Sequence, residues 1–278
     1  MKKQLRHSNT RVVITGGGTG GHVFPAIAIA NALAPDIGRE NLLFVGAIGK
    51  MEMEKVPAAG YNITGLPITG LQGRLTLNNL LLPFRLIVSF IRAGRILRRF
   101  RPDVVVGVGG FASAPALWMA RIFRIPVVIQ EQNSVPGKVN RIAGRWAKRI
   151  CTAFPALERY FPESKVVLTG NPVRRSILQS RGMKEAGCSK YGFDPLRPVV
   201  LVVGGSQGAR SLNRTLAKLL GGWVAEGIQV LWQTGQVFYP EAKKLTEEKN
   251  YPGVVVTPFI DTMELAYGAA SLVVSRAG

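Results

Sequence analysis

An α/β fold of doubly wound parallel sheets is what this sequence predicts, and three observations predict it. Short apolar runs rich in valine and isoleucine recur along the chain. Helical patterns of about ten residues lie between them. An apolar run, a glycine-rich turn and a helix follow one another twice, as VVITGGGTGGH from Val12 and as VVLVVGGSQGAR from Val199. Strand–helix–strand crossovers within one sheet are right-handed, which favours the doubly wound layout.

The elements can be read in order. Arg11–Thr15 (RVVIT) is a buried strand, Gly16–Gly21 a tight turn, and Val23–Leu33 a helix that tolerates Pro25 in its first turn. Asn41–Val45 is a strand, Met51–Ala59 a short helix and Tyr61–Pro67 another strand. A loop at Ile68–Thr76 leads to a long helical pattern over Leu77–Phe100. Val104–Val108 is a strand, Ala112–Phe123 a helix, Pro126–Gln130 a strand and Lys138–Ala147 a helix. Arg149–Ala153 and Lys165–Thr169 are shorter strands. Asn171–Leu196 then reads as irregular and polar, and marks a boundary between domains 1–170 and 171–278.

Beyond the boundary the pattern restarts. Pro198–Val203 is a strand, Gly204–Gly208 a glycine turn, Ala209–Leu220 a helix, and Ile228–Gln233, Gly253–Pro258 and Ser271–Val274 are strands. The repeat suggests two Rossmann-like domains facing each other across a cleft. The final strand leads into another turn with no helix after it, so the second domain is expected to be incomplete at Gly278.

Composition narrows the function. Hydrophobic residues make up 47% of 278, enough for real cores. The 36 basic against 16 acidic residues give a formal charge of +20, which points to an anionic partner. The excess is partly regional. No Asp or Glu lies between Lys55 and Pro102, where Arg74, Arg85, Arg92, Arg95, Arg98, Arg99 and Arg101 all fall. No RNA- or DNA-binding motif accompanies these charges, and aromatics do not interleave with them, which argues against nucleic acid. Cys151 and Cys188 are far apart, outside any CxxC motif, and are read as reduced thiols. Met1–Arg11 lacks the apolar stretch of a signal peptide, and Leu80–Ile91, interrupted by Pro83 and Arg85, is too short to span a bilayer. The chain is expected to stay in the cytoplasm.

The glycine turns carry the first chemical signal. Backbone N–H groups at a helix N-terminus, with the helix dipole, bind phosphate, and glycine lets the ligand approach. Gly16–His22 fits that description but is not the dinucleotide fingerprint. His22 stands at the helix start. A neutral imidazole there can act as general base, or can cap the helix and bind phosphate without taking a proton; position alone leaves both open. In the second turn, Ser206 and Gln207 add side-chain hydrogen bonds. Glu131, Gln132 and Asn133 follow a strand end, where ligands of open parallel sheets bind, and Arg174 can reach in from the boundary. Leu80, Phe84, Ile87 and Ile91 recur at helical spacing with Arg85, Arg92, Arg95 and Arg99 on other faces. Such a helix can serve partly as core and partly as a patch resting on an anionic bilayer.

Six segments, in order, bring a resemblance with them: TGGGTGGHVFPAIAIA, VVGVGGFASAPALWMA, IPVVIQEQNSVPGKVNR, GNPVR, VVGGSQGARSLN and FIDTMELAYGAASLVVSRAG. Together they resemble the MurG family of glycosyltransferases along nearly the whole chain. The resemblance implies the GT-B fold and inverting transfer of N-acetylglucosamine from UDP-N-acetylglucosamine to the C4 hydroxyl of lipid I, undecaprenyl-pyrophosphoryl-N-acetylmuramoyl pentapeptide. The product is lipid II, for peptidoglycan synthesis, cell shape and division. No cofactor and no metal are implied, and no DxD-like acidic pair is present. The family sits peripherally on the cytoplasmic face of the anionic inner membrane, with other cell-wall synthesis proteins as possible partners. By position, Thr19, Gly20 and Gly21 match the first glycine loop, His22 the proposed base, Asn133 and Arg174 cleft residues, Ser206 the serine of the second turn, and Ile260 a residue near uracil. The first domain would hold the acceptor and the second the donor, which the chain as it stands is expected to bind weakly.

Overall fold

The computed structural model describes residues 9–68, 82–205 and 207–276. The chain divides into two compact units, Met1–Arg174 and Arg175–Gly278.

In the first unit, strands β1 (Val12–Thr15), β2 (Leu42–Ala47), β3 (Asn62–Leu66), β4 (Val104–Gly107), β5 (Val127–Glu131), β6 (Arg149–Thr152) and β7 (Val166–Leu168) form one sheet. Its order is β3-β2-β1-β4-β5-β6-β7 and every pairing is parallel. Its α-helices among the described residues are α1 (Gly20–Ile37), α2 (Glu52–Ala58), α3 (Leu82–Phe100), α4 (Ala114–Ile122) and α5 (Lys138–Ala143). Buried parallel strands read as unbroken apolar runs because both faces are covered. β1 shows this directly. Val12 and Ile14 pack with Val23, Ala26, Ile27 and Ala30 of α1, while Val13 packs on the other face with Leu97 of α3 and Leu117 of α4.

The second unit repeats the plan on a smaller scale. Its helices are α6 (Arg175–Leu178), α7 (Lys184–Tyr191), α8 (Arg210–Ala225), α9 (Tyr239–Glu248) and α10 (Met263–Ala269). Strands β8 (Val199–Val203), β9 (Gln229–Gln233), β10 (Val254–Thr257) and β11 (Leu272–Ser275) pair in parallel in the order β10-β9-β8-β11. Val199, Leu201 and Leu231 face Cys188 of α7 and Ala266 and Ala269 of α10. Val200, Val202 and Trp232 face Leu216 and Leu220 of α8.

Two readings of the sequence need correction. Asn171–Leu196 is not irregular throughout, since α6 and α7 lie in it. The helix α7 has almost no apolar stripe; it is held by close packing on α10, where a side chain on Gly187 would lie 2.3 Å from the carbonyl oxygen of Leu265. The helix α1 begins at Gly20, so Pro25 lies inside it with Pro35, not in its first turn. The long pattern over Leu77–Phe100 is helical from Leu82, and residues 77–81 lie outside the described residues. Within α3 the core face is Ser89, Ala93 and Leu97, whereas Phe84, Ile87 and Ile91 are exposed by 67%, 58% and 50%. Among the described residues, no helix is long and apolar enough to cross a membrane.

Candidate functional site

Strand order reverses between β1 and β4, and the carboxyl ends of strands at such a reversal are the usual ligand position of these sheets. From β1 comes the glycine turn, ending in the N-terminus of α1. From β4 come Val108, Gly109 and Gly110. The two loops touch closely: a side chain on Gly110, whose φ is +81°, would meet the carbonyl oxygen of Gly17 at 2.3 Å.

The turn is pinned from below by Glu52, at the start of α2 and 1% exposed. Its carboxylate accepts from the amide of Gly18 at 2.9 Å and from that of Ala47 at 2.9 Å. Thr19 is the N-cap residue of α1, is exposed, and makes no capping bond with its side chain. Gly20 and Gly21 follow as the first residues of the helix.

The half-exposed ring of His22 is tied to the β4 and β5 loops. Its Nδ1 lies 2.9 Å from the carbonyl oxygen of Val108 and 3.1 Å from Oε1 of Gln132. Gln132 in turn donates through Nε2 to the Val108 carbonyl at 2.9 Å and to both oxygens of Gln130. Glu131 turns the other way. Oε1 accepts from the backbone and side-chain nitrogens of Asn133, at 3.0 and 3.1 Å, and Oε2 from the Gly137 amide at 3.2 Å and Asn140 Nδ2 at 2.9 Å. Asn133 itself is exposed. The Asn171 amide reaches the Gln132 carbonyl at 3.4 Å, and the Arg174 guanidinium lies over the Phe24 ring, 4.6 Å from its centre. In the first unit Thr19, Gly20, Gly21 and His22 thus follow the carboxyl end of β1 and Asn133 follows that of β5, while Arg174 lies over Phe24 of α1.

In the second unit the glycine turn after β8 is built the same way. The Gly208 amide donates to the Gly205 carbonyl at 2.8 Å, and Gln233 Nε2 to the same oxygen at 2.9 Å. A side chain on Gly208, at φ +75°, would collide with the Thr234 carbonyl oxygen at 1.9 Å. That carbonyl accepts from Asn213 of α8 at 2.7 Å, and Asn213 is held by Trp232 Nε1 at 3.0 Å. Arg276 brings a guanidinium nitrogen to 3.6 Å from where a Gly205 side chain would start.

Residues 12–152 match the glycosyltransferase family 28 N-terminal domain, and residues 199–278 the glycosyltransferase family 28 C-terminal domain. The chain belongs to glycosyltransferase family 28. A relative from Parabacteroides distasonis is a UDP-N-acetylglucosamine–N-acetylmuramyl-(pentapeptide) pyrophosphoryl-undecaprenol N-acetylglucosamine transferase. It is 46% identical over 270 residues, covering 96% of this chain and 73% of the relative. The Porphyromonas gingivalis protein of the same name is 46% identical over 281 residues, covering 100% of this chain and 74% of its own. The crystal structure of Acinetobacter baumannii MurG is 29% identical, with a TM-score of 0.63, over 97% of this chain and 74% of that one. A UDP-GlcNAc 2-epimerase from Neisseria meningitidis, solved with UDP-GlcNAc bound, has a TM-score of 0.64 at 14% identity over 96% of this chain and 78% of its own, and shares the fold alone.

Within this family 28 chain the remaining expected residues fall differently. Ser206 lies outside the described residues. Ile260 is 5% exposed, packed with Val199, Leu201 and Leu231, so its side chain belongs to the second core. Glu131 and Gln132, in a loop that the sequence leaves open between recognition and an ordinary polar connection, are 1% and 8% exposed and face inward. Glu52, Asn140 and the Val108 carbonyl went unnoticed in the sequence. No pattern flags a carboxylate that bonds backbone, although an acidic residue opening a short helix after a glycine-bearing strand end was a usable hint.

Proposed function

We propose that this family 28 glycosyltransferase moves N-acetylglucosamine from UDP-N-acetylglucosamine to the C4 hydroxyl of lipid I, giving lipid II; its relatives are named for N-acetylglucosamine transfer to N-acetylmuramyl-(pentapeptide) pyrophosphoryl-undecaprenol. The observation that carries the mechanism is the His22 ring, partly exposed at the start of α1 and tethered, among the described residues, through Nδ1. Its other nitrogen can take the proton of an attacking hydroxyl. That hydroxyl attacks the anomeric carbon in line, the configuration inverts, and UDP departs with the bonding electrons. Backbone N–H groups and helix dipoles stabilise the leaving diphosphate. We assign the acceptor to the first unit, with Thr19, Gly20, Gly21, Asn133 and Arg174 lining its place, and the donor to the second, with Ser206 and the backbone beside Ile260.

The exposed stripe Phe84, Ile87 and Ile91, flanked by exposed Arg92, Arg95 and Arg99, supports peripheral attachment to an anionic bilayer, where a lipid-linked acceptor resides. The test is a product assay with UDP-N-acetylglucosamine, offering lipid I and diacylglycerol in parallel. Transfer to lipid I alone is expected. His22→Ala should lower kcat about 100- to 10,000-fold, the range for loss of a general base. An unchanged kcat with a raised KM for lipid I would make His22 a binding residue.

A further inference from the structure

We propose that Gln132 is a positioning residue: with the carbonyl of Val108 it holds His22 in the Nδ1–H tautomer, so that Nε2 is the nitrogen with the free lone pair. The argument starts from the amide. Gln132 Nε2 is surrounded by three oxygens, the Val108 carbonyl at 2.9 Å, the Gln130 carbonyl at 3.3 Å and Gln130 Oε1. Two of the three are backbone carbonyls, acceptors however either side-chain amide is turned, and the two hydrogens of the NH2 end match them; with the Gln132 amide reversed, its oxygen would face both carbonyls. Gln132 Oε1 therefore points at His22 Nδ1, 3.1 Å away, and the second neighbour of Nδ1, at 2.9 Å, is another carbonyl oxygen. Two acceptors facing one ring nitrogen require it to carry the hydrogen.

The catalytic half of this proposal rests on His22 being the base; the tautomeric half does not. As the acceptor's O–H bond breaks, its proton goes to Nε2. The oxygen forms its bond to the anomeric carbon while the bond from that carbon to the UDP oxygen breaks with its electron pair. The imidazolium then carries two N–H groups. The bonds from Nδ1–H to Val108 and Gln132 strengthen as the ring gains charge. Charged groups packed around this corner are otherwise engaged: Glu52 with Gly18 and Ala47, Glu131 with Asn133, Gly137 and Asn140, and Arg174 over Phe24. Neither carboxylate is bonded to the ring, so the neutral amide has the orienting task.

The chain holds two histidines, His7 and His22, so a His7→Gln background leaves one imidazole to observe. Two-bond 1H–15N correlation spectra of that protein, recorded above the ring's titration, should show a pyrrole-type Nδ1 and a pyridine-type Nε2. Gln132→Leu should shift the pair toward a mixture of tautomers. A pyridine-type Nδ1 in the parent, or an unchanged pattern in Gln132→Leu, overturns the proposal. In kinetics, Gln132→Leu should lower kcat about 10- to 100-fold, less than loss of the base itself, with KM within about twofold. A rise in KM with kcat intact would overturn the positioning role. If the tautomer shifts as expected but kcat is indifferent to Gln132→Leu and His22→Ala alike, the base assignment fails while the tautomer assignment stands.

Discussion

Replacing Glu131 by glutamine is a sharper perturbation than its modest chemistry suggests. The carboxylate is 1% exposed and receives four N–H groups, two on each oxygen. A glutamine offers one oxygen and one NH2, so two donors must face another donor whichever way it turns. Hydrogen bonds to a charged acceptor contribute about 1.5–3 kcal/mol each, and a buried donor left unpaired costs a similar amount. Exposed Asn133 can turn to water, which discounts its share, whereas Asn140 is 1% exposed and cannot. The net loss should be about 2–4 kcal/mol, the lower end applying if the amide oxygen stays with Asn140. For a unit of this size that corresponds to roughly 4–16 °C in melting temperature. Urea unfolding of Glu131→Gln and Glu131→Ala should give similar losses, and the Asn133 and Gly137 amides should exchange hydrogen faster in both. A Glu131→Gln protein as stable as the parent would mean that the four contacts are not a working hub.

Arg92, Arg95 and Arg99 replaced together by glutamine should weaken association with anionic vesicles roughly 100-fold, since each contributes about 1 kcal/mol near the surface; equal binding by mutant and parent, or equal binding to neutral vesicles, would remove the electrostatic reading of α3. Gly187→Ala should destabilise the second unit by about 1–3 kcal/mol, because the added methyl lies 2.3 Å from the Leu265 carbonyl oxygen; an unchanged melting curve would show that α7 and α10 can part without cost. Burial pushes the Cys151 thiol up. Its stabilising contribution is therefore present below the unfolded thiol's value and is lost as pH rises through the folded one. Cys151 should alkylate more slowly in native than in urea-unfolded protein at mildly alkaline pH, and equal rates by peptide mass spectrometry would refute this.

Much of the sheet was legible because parallel strands buried on both faces leave a plain signal, as VVIT, VVVG and VVLVV show. The same holds for the glycine turns and for His22 at a helix start. What was not legible depended on partners distant in sequence. The helix α7 has no apolar periodicity of its own and is explained by α10, some seventy residues on, and by the strands on which Cys188 packs. The triplet Glu131, Gln132 and Asn133 announces a polar loop, but not that two of the three turn inward to hold it. Ile260 could be placed near a ligand by motif, yet its side chain answers to the core around Val199.

The position of β1 in its sheet carries a consequence for how the protein is made. Of the seven strands of its sheet it leaves the ribosome first, yet it sits in the interior, between β2 and β4. Its partner on one side arrives at Leu42, but the other edge stays open until Val104 has been synthesised, about ninety residues after Thr15. At ~5–20 residues per second, that edge waits roughly 5–20 s. Throughout the interval an apolar strand with unpaired N–H and C=O groups is available to any neighbouring chain. The strand that carries the first glycine turn is thus the one most exposed to misassembly, and nascent protein stalled before β4 is the form a chaperone would need to shield.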